Sequence, residues 1–206
     1  MIKHPIVTAG IILFLFAVAG VGLVALIHVL TAERILDNEH QALLQKLNAL
    51  VPAETIDNDI VGDVVTVHAP EALGIPENRV HLGRLAGKPV AAVFTSVVPN
   101  GYAGRINLLV AVRVDGTLGG VRVVSHKETP GLGDKIEEEK SDWIYSFNGR
   151  SLGDPEIGKW KVKKDGGVFD QFTGATVTPR NVVAAVKSTL IYFRDHGDRL
   201  FQQAER

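Results

Sequence analysis

From Pro5 to Ala32 the chain carries no Asp, Glu, Lys or Arg. Within that stretch Ile6–Ile27 is broken only by Thr8 and by glycines at 10, 20 and 22. A run of this length spans a hydrocarbon core of about 30 Å as a helix, because a helix satisfies its own backbone hydrogen bonds in lipid. A cleaved secretory signal is the competing reading, but its apolar region typically covers about 7–15 residues before a small-residue cleavage site. Here the run is longer and continues through His28-Val29-Leu30 into a further helical pattern. That favours a retained single-pass anchor over residues 1–32. Gly10, Gly20 and Gly22 suit close helix packing in the membrane, although glycine is frequent in membrane helices generally. Lys3 and His4 precede the run, and Glu33, Arg34, Asp37 and Glu39 follow it. The positive-inside rule then keeps the N-terminus in the cytoplasm and translocates the remainder, to the periplasm of a Gram-negative cell.

Thr31–Val51 reads as a helix with Ile35, Leu36, Leu43, Leu44, Leu47 and Leu50 on one side. It stops before Pro52, since the residue preceding proline is pushed out of the α region. Residues 33–58 thus form a helical stalk, whose apolar side must be covered by the soluble domain or by a partner. From Ile60 to Lys127 the texture is β. Val61–His68, Arg79–Leu85, Val90–Val98, Ile106–Val114 and Leu118–Ser125 are rich in Val, Ile, Thr and Phe, which suits strands. Ala86–Pro89 and Asp115-Gly116 mark hairpin turns. Continuous apolar stretches such as Ala91–Phe94 and Leu108–Val112 point to strands buried on both faces or packed under a helix.

Beyond the strands, Asp134–Ile144 looks helical, with Glu137-Glu138-Glu139 as a solvated face and Trp143, Tyr145 and Phe147 as core. Lys159–Lys164 alternates polar and apolar residues and reads as an edge strand blunted by lysines. A final helix is expected from Pro179 to about His196, with Gly197 as its stop. The soluble domain would then cover 59–197 and a polar tail 198–206. The fold class is α+β: a single N-terminal transmembrane helix followed by an antiparallel sheet packed with helices.

Several chemistries are excluded. The chain has no cysteine, hence no disulfide, no Cys-ligated iron–sulfur cluster and no attached c-type haem. Its seven histidines show no close ligand spacing, so no metal site is indicated. The net charge of −1 with scattered basic residues leaves no footprint for nucleic acid. No GxGxxG follows a strand, so a nicotinamide site is absent. No Ser–His–Asp arrangement or catalytic carboxylate pair stands out, and no catalytic residue is assigned. Glu128 lies alone beside a turn and reads as solvated.

Three glycine-containing loops remain, at 99–105, 126–133 and 170–178. The last places Thr173, Gly174, Ala175, Thr176 and Thr178 directly before an apolar stripe at Val182, Val183, Val186, Leu190 and Phe193. Thr178 suits an N-cap and Pro179 the N1 position. A helix start preceded by small and hydroxyl residues is also an anion site. From composition alone, capping is the simpler account. Tyr102, on the first loop, either caps the core edge or covers a planar ligand.

Asp170-Gln171-Phe172-Thr173-Gly174-Ala175-Thr176 matches the pattern D-x-x-S/T-G-A-S/T of covalently flavinylated FMN-binding domains. His126–Gly133 resembles a second signature of those domains. Gly101-Tyr102-Ala103-Gly104 resembles a third, usually a glycine–tyrosine–glycine loop, with Ala103 in its third position. With the anchor and short stalk, the chain resembles the G subunits of Rnf/Rsx-type ion-translocating electron transport complexes. The C subunit of the sodium-translocating NADH:quinone reductase shares the domain in a longer chain. The resemblance implies that a flavin transferase uses FAD to link FMN through its phosphate to Thr176, making this a flavoprotein with a phosphoryl-threonine. It further implies that Thr173, Gly174, Ala175 and Thr178 surround the phosphate. Glu128, Thr129, Gly131 and Leu132 would approach the flavin ring, and Tyr102 would cover it. Lys127 and Lys135 would be charge partners. The implied function is electron relay in an ion-translocating oxidoreductase of the bacterial inner membrane, alongside other membrane and peripheral subunits. A membrane-tethered, non-redox binding or assembly module is the alternative. A threonine-dependent hydrolase built on His126 and Asp170 is a weaker one.

Overall fold

The computed structural model describes residues 5–203. The chain divides into two compact units at Leu43/Leu44. Helix α1 runs unbroken from Pro5 to Leu50, so the expected anchor and stalk are one helix. Up to Leu30 its large apolar side chains face outward, with Phe16 75% exposed. The helix is long and apolar enough to cross a membrane by length and composition. Of the stalk's apolar side, Leu47 and Leu50 are buried within the second unit, whereas Ile35 and Leu36 stay exposed. Pro52 ends the helix as expected, and Val51 donates its N–H to the Leu47 carbonyl at 2.8 Å.

The second unit is built on a five-stranded sheet in the order β1-β2-β3-β4-β5. The strands are β1 (Val64–Val67), β2 (Asn78–Leu85), β3 (Lys88–Val98), β4 (Ile106–Arg113) and β5 (Leu118–Ser125), with the short helix α2 (Pro70–Leu73) between the first two. Every neighbouring pair is antiparallel. The β2–β3 turn is Ala86-Gly87, because Leu85 pairs with Lys88. At the β4–β5 turn Asp115 accepts both the N–H and the hydroxyl of Thr117. The β3–β4 connection is the longer loop 99–105.

Both faces of this sheet are covered, which explains the unbroken apolar runs. Val80, Leu82, Ala92, Phe94, Leu108, Val110 and Val112 share one face with Val182, Val183, Val186, Leu190 and Phe193 of helix α3 (Val177–Gln203). Phe94 meets the rings of Tyr192 and Phe193 edge-on at 6.1 Å. Ala91, Val93, Leu109 and Ala111, on the alternate face, are buried together with Leu47, Leu50, Val51 and Ile60. A Cβ placed on Gly120 would lie 3.0 Å from Leu50 Cδ2, so the end of α1 rests directly on β5.

Between β5 and α3 the backbone is irregular and departs from expectation in two places. Asp134–Ile144 is not one helix but two 3-10 turns, Gly133–Ile136 and Asp142–Phe147. The acidic run between them is drawn to separate partners, Glu137 to His126 and Glu138 to Arg122, so it is not merely a solvated face. Lys159–Lys164 is not an edge strand. Its alternation in burial is real, but the Trp160 indole N–H donates to the Ser151 and Pro155 carbonyls at 3.0 Å. The segment follows that ring instead of a ladder. Trp143, Phe147, Trp160, Phe169 and Phe172 form a continuous aromatic cluster, with Phe147 and Phe169 centroids 4.8 Å apart. Tyr145 stays at the surface, with the Arg122 guanidinium 4.8 Å from its ring centre.

The third departure is the end of α3. Gly197 does not stop it; the helix continues to Gln203. Leu200 and Phe201 are buried, so the stretch expected as a polar tail adds these two side chains to the core; 204–206 fall outside the described residues. Gly197 serves packing, since a Cβ there would lie 3.2 Å from the Phe193 ring. Arg84 donates to the Phe201 carbonyl at 3.1 Å.

Candidate functional site

The three glycine-containing loops converge at the start of α3. The helix begins at Val177, one residue before the expected N-cap. Thr176 therefore takes the N-cap position, and its carbonyl accepts the Arg180 N–H at 3.2 Å. Thr178 lies inside the first turn and Pro179 follows it, where no intrahelical N–H partner is required.

That shift separates three hydroxyls that the sequence leaves nearly equal. Thr178 is fully buried, and its hydroxyl donates to Glu128 Oε2. Thr173 is exposed in a turn closed by Ala175 N–H to the Phe172 carbonyl at 3.1 Å. Gly174 holds φ +82° in that turn, which a side chain would strain. Thr176 is half-buried, and its hydroxyl makes no hydrogen bond among the described residues.

Glu128 is 4% exposed, which corrects its reading as a solvated turn residue. Oε1 accepts the Ala103 N–H at 3.0 Å, Oε2 accepts the Thr178 hydroxyl, and the Glu128 N–H donates to His126 Nδ1 at 2.9 Å. Since Nδ1 accepts, the His126 proton sits on Nε2 and donates to Glu137. Asn181, which no motif flags, donates from its side chain to the Asn100 carbonyl. It ties α3 to the first loop.

The second loop turns at Thr129-Pro130-Gly131-Leu132, with Leu132 N–H to the Thr129 carbonyl at 3.1 Å. Pro130 and Gly131 at φ +78° are the residues a type II turn selects. Thr129 and Gly131 are exposed there, and Leu132 is 42% exposed. A Cβ on Gly174 would meet Leu132 Cδ2 at 3.5 Å, so the second and third loops touch beside Thr176. Tyr102 is 72% exposed and Val177 39%. An open hydroxyl at a helix N-terminus thus sits among exposed apolar groups, which suits a ligand with an anionic end and a flat apolar body.

Asp170 is set by its neighbours. Its carboxylate pairs with Lys163 at 2.5 Å, and its carbonyl accepts the Trp143 indole N–H at 2.8 Å. Neither Asp170 nor His126 addresses a threonine, which removes the basis for a hydrolase. Lys127 and Lys135 make no ion pair among the described residues. No group of three or more His, Cys, Asp or Glu side chains among the described residues is placed to hold a metal. A separate cleft lies against Pro89, Val114, Phe193, Arg194 and Phe201.

Two known families match the chain, one over most of the domain and one over the helix that precedes it. The FMN-binding domain family matches residues 101–191, which hold the second and third loops whole and the first from Gly101 onward. The RnfG N-terminal region matches residues 1–50. The G subunit of the ion-translocating oxidoreductase complex of Pseudomonas aeruginosa is 48% identical over 204 residues, covering 98% of this chain and 95% of that protein. Its counterpart in Pseudoalteromonas atlantica is 47% identical over 200 residues, 97% of this chain and 93% of the relative. That of Vibrio atlanticus is 43% identical over 194 residues, 94% and 93% of the two chains. With the loops of an FMN-binding domain carried behind an RnfG N-terminal region, the chain belongs to the G-subunit family of the ion-translocating oxidoreductase complex.

Proposed function

We propose that this chain is a membrane-anchored flavoprotein subunit, carrying FMN in phosphoester linkage to Thr176 and relaying electrons within an ion-translocating complex. One observation carries the attachment point: of the three threonines before and within the first turn of α3, Thr176 alone combines an N-cap position, access to solvent and a hydroxyl without a partner. The residues present fit the group. The N–H groups at the start of α3 have no i−4 carbonyl, and with the positive end of the helix they favour the phosphate. Leu132, Val177 and Tyr102 offer apolar surface to the ring, and the open backbone at Thr129–Gly131 allows close approach. Thr173, Gly174 and Ala175 form the turn that presents Thr176. Thr178 and Glu128 support it from beneath. Bound flavin supplies the electron chemistry, accepting and passing electrons singly or in pairs.

Anchoring rests on α1. The outward apolar side chains of Ile6–Leu30 would each cost about 1.5–3 kcal/mol in water relative to an apolar surrounding. Lipid removes that cost. Lys3 and His4 before the span favour a cytoplasmic N-terminus and a periplasmic FMN domain. The partners are the remaining membrane and peripheral subunits, with a flavin transferase acting during maturation. A tether suits a domain outside the cytoplasm, where a dissociating cofactor would be lost.

Ultraviolet fluorescence of the denatured chain in a gel tests this reading. Chain made alongside an active flavin transferase should fluoresce, and Thr176→Ala should not. A dark wild-type band under those conditions would support a non-redox assembly module instead.

A further inference from the structure

Thr176 is half-buried at the N-cap of a helix, a place where chain ends ordinarily fray, yet attachment requires one reproducible geometry. The group placed to impose it is the carboxylate beneath. We infer that Glu128 is the positioning residue of the acceptor site: by holding the Thr178 hydroxyl and the Ala103 N–H together, it locks the first turn of α3 against the other two loops and so sets the Thr176 hydroxyl for flavin attachment. This rests on Thr176 being the attachment point.

Four features converge on that role. Each carboxylate oxygen is assigned to a different loop, Oε1 to Ala103 and Oε2 to Thr178. Space is kept for it from two sides. A Cβ on Gly101 would lie 2.8 Å from Oε1, and one on Gly133 would lie 2.6 Å from Oε2 and 3.0 Å from Thr178 Oγ1. Its backbone is held in turn by His126, itself fixed by Glu137. Finally, Thr178 sits two residues after Thr176 in the same helical turn, so a fixed Thr178 fixes its neighbour. Glu128 is buried, with each carboxylate oxygen turned to a donor of a neighbouring loop. It acts through Thr178.

The step it prepares is a phosphoryl transfer from FAD on the transferase. The Thr176 oxygen forms a bond to the FMN phosphorus, the phosphoanhydride bond breaks, AMP leaves with the electron pair, and the hydroxyl proton is released. What Glu128 must supply is acceptor geometry, not charge at the reacting atoms. An amide can meet the same need: Glu128→Gln keeps Oε1 on the Ala103 N–H, while its NH₂ donates to a Thr178 hydroxyl turned to accept. Alanine leaves both partners unsatisfied, and Thr178→Val removes one end of the link.

The test uses full-length chain in detergent, free of flavin, with FAD and a purified flavin transferase. Attachment is followed by intact mass and in-gel fluorescence at several chain concentrations. Glu128→Ala and Thr178→Val should each lower kcat by about a hundredfold, the scale of a small misplacement of a reacting group, with KM little changed. The double variant should be no slower than the slower single one, and Glu128→Gln should recover most of the rate. In the flavin-free chain, amide exchange should accelerate at Ala103 and in the first turn of α3 in Glu128→Ala, while β4 keeps its protection. If Glu128→Ala does not fold, Thr178→Val and Glu128→Gln carry the decision. Wild-type rates in folded Glu128→Ala and Thr178→Val would overturn the proposal. So would a Glu128→Gln as slow as the alanine variant, because that would make charge the requirement. Flavin on Thr176→Ala would instead overturn the attachment point, a distinct failure.

Discussion

Trp143 reaches across 27 residues of chain to donate its indole N–H to the carbonyl of Asp170, at 2.8 Å. Its ring also packs 5.2 Å from Phe172. Asp170, near the start of the third loop, is therefore bolted to the aromatic cluster, although no regular element connects them. Trp143→Phe keeps much of the apolar surface and loses the donor. It should destabilise the domain by about 0.5–1.5 kcal/mol in urea unfolding, the net worth of one hydrogen bond. A wild-type midpoint would show that solvent replaces the bond at no loss.

Two glycines make opposite cases. At Gly133 a Cβ would lie 2.6 Å from Glu128 Oε2, whereas at Gly158 nothing lies within 4 Å. Gly133→Ala must push the Glu128 carboxylate off its partners and should cost about 1–3 kcal/mol, as overpacking does. Gly158→Ala should stay within about 0.5 kcal/mol of wild type. Thermal melts of the two variants side by side check this. Equal melting temperatures would mean that the carboxylate moves freely.

His81 gives the fold an acid-side weakness. Burial pushes its imidazole below the usual value, and the hydrogen bond to the Ile60 carbonyl only partly opposes that. The unfolded chain therefore takes up this proton first as pH falls. Stability is intact above the unfolded value, near pH 6.5 for histidine, and is lost as pH drops below it, by up to about 1.4 kcal/mol per pH unit for one group. His81→Gln keeps a donor for Ile60 and removes the titration. Its stability should fall less steeply than that of wild type between pH 7 and 5, measured by urea midpoints. Parallel slopes would remove His81 as the cause.

The end of α3 belongs to the core. Leu200 and Phe201 are buried while Gln202 is exposed. Phe201→Ala should cost about 3–5 kcal/mol and Leu200→Ala about 2–5 kcal/mol, as truncations of buried side chains do. Gln202→Ala should be close to neutral. Neutral values at 200 and 201 would restore the polar-tail reading of that segment.

Legibility in the sequence follows the strength of local signals. The charge-free run, the strand segments and the stripe from Val182 to Phe193 are periodic or extreme in composition, and the structure places them close to expectation. The 126–176 region departs from its local pattern because its order comes from distant contacts. Trp160 answers to Ser151 and Pro155, and Glu137 and Glu138 to His126 and Arg122. Gly197 reads as a stop because glycine ends many helices, whereas its role is to admit the Phe193 ring. At the site, the three loops are visible as glycine-rich motifs. What joins them is not, because a buried glutamate and a solvated one look alike in a string of letters. The two-residue shift of the helix start moves the N-cap from Thr178 to Thr176 and leaves Thr178 inside the first turn, bonded to Glu128.

The most direct measurement is the intact mass of the full-length chain from cells expressing the flavin transferase, followed by fragmentation of the peptide spanning 170–180. The expected result is an increase equal to FMN less one water, localised to Thr176 and absent from Thr176→Ala. An unmodified mass under those conditions, or the same increment on Thr173 or Thr178, would contradict the central claim.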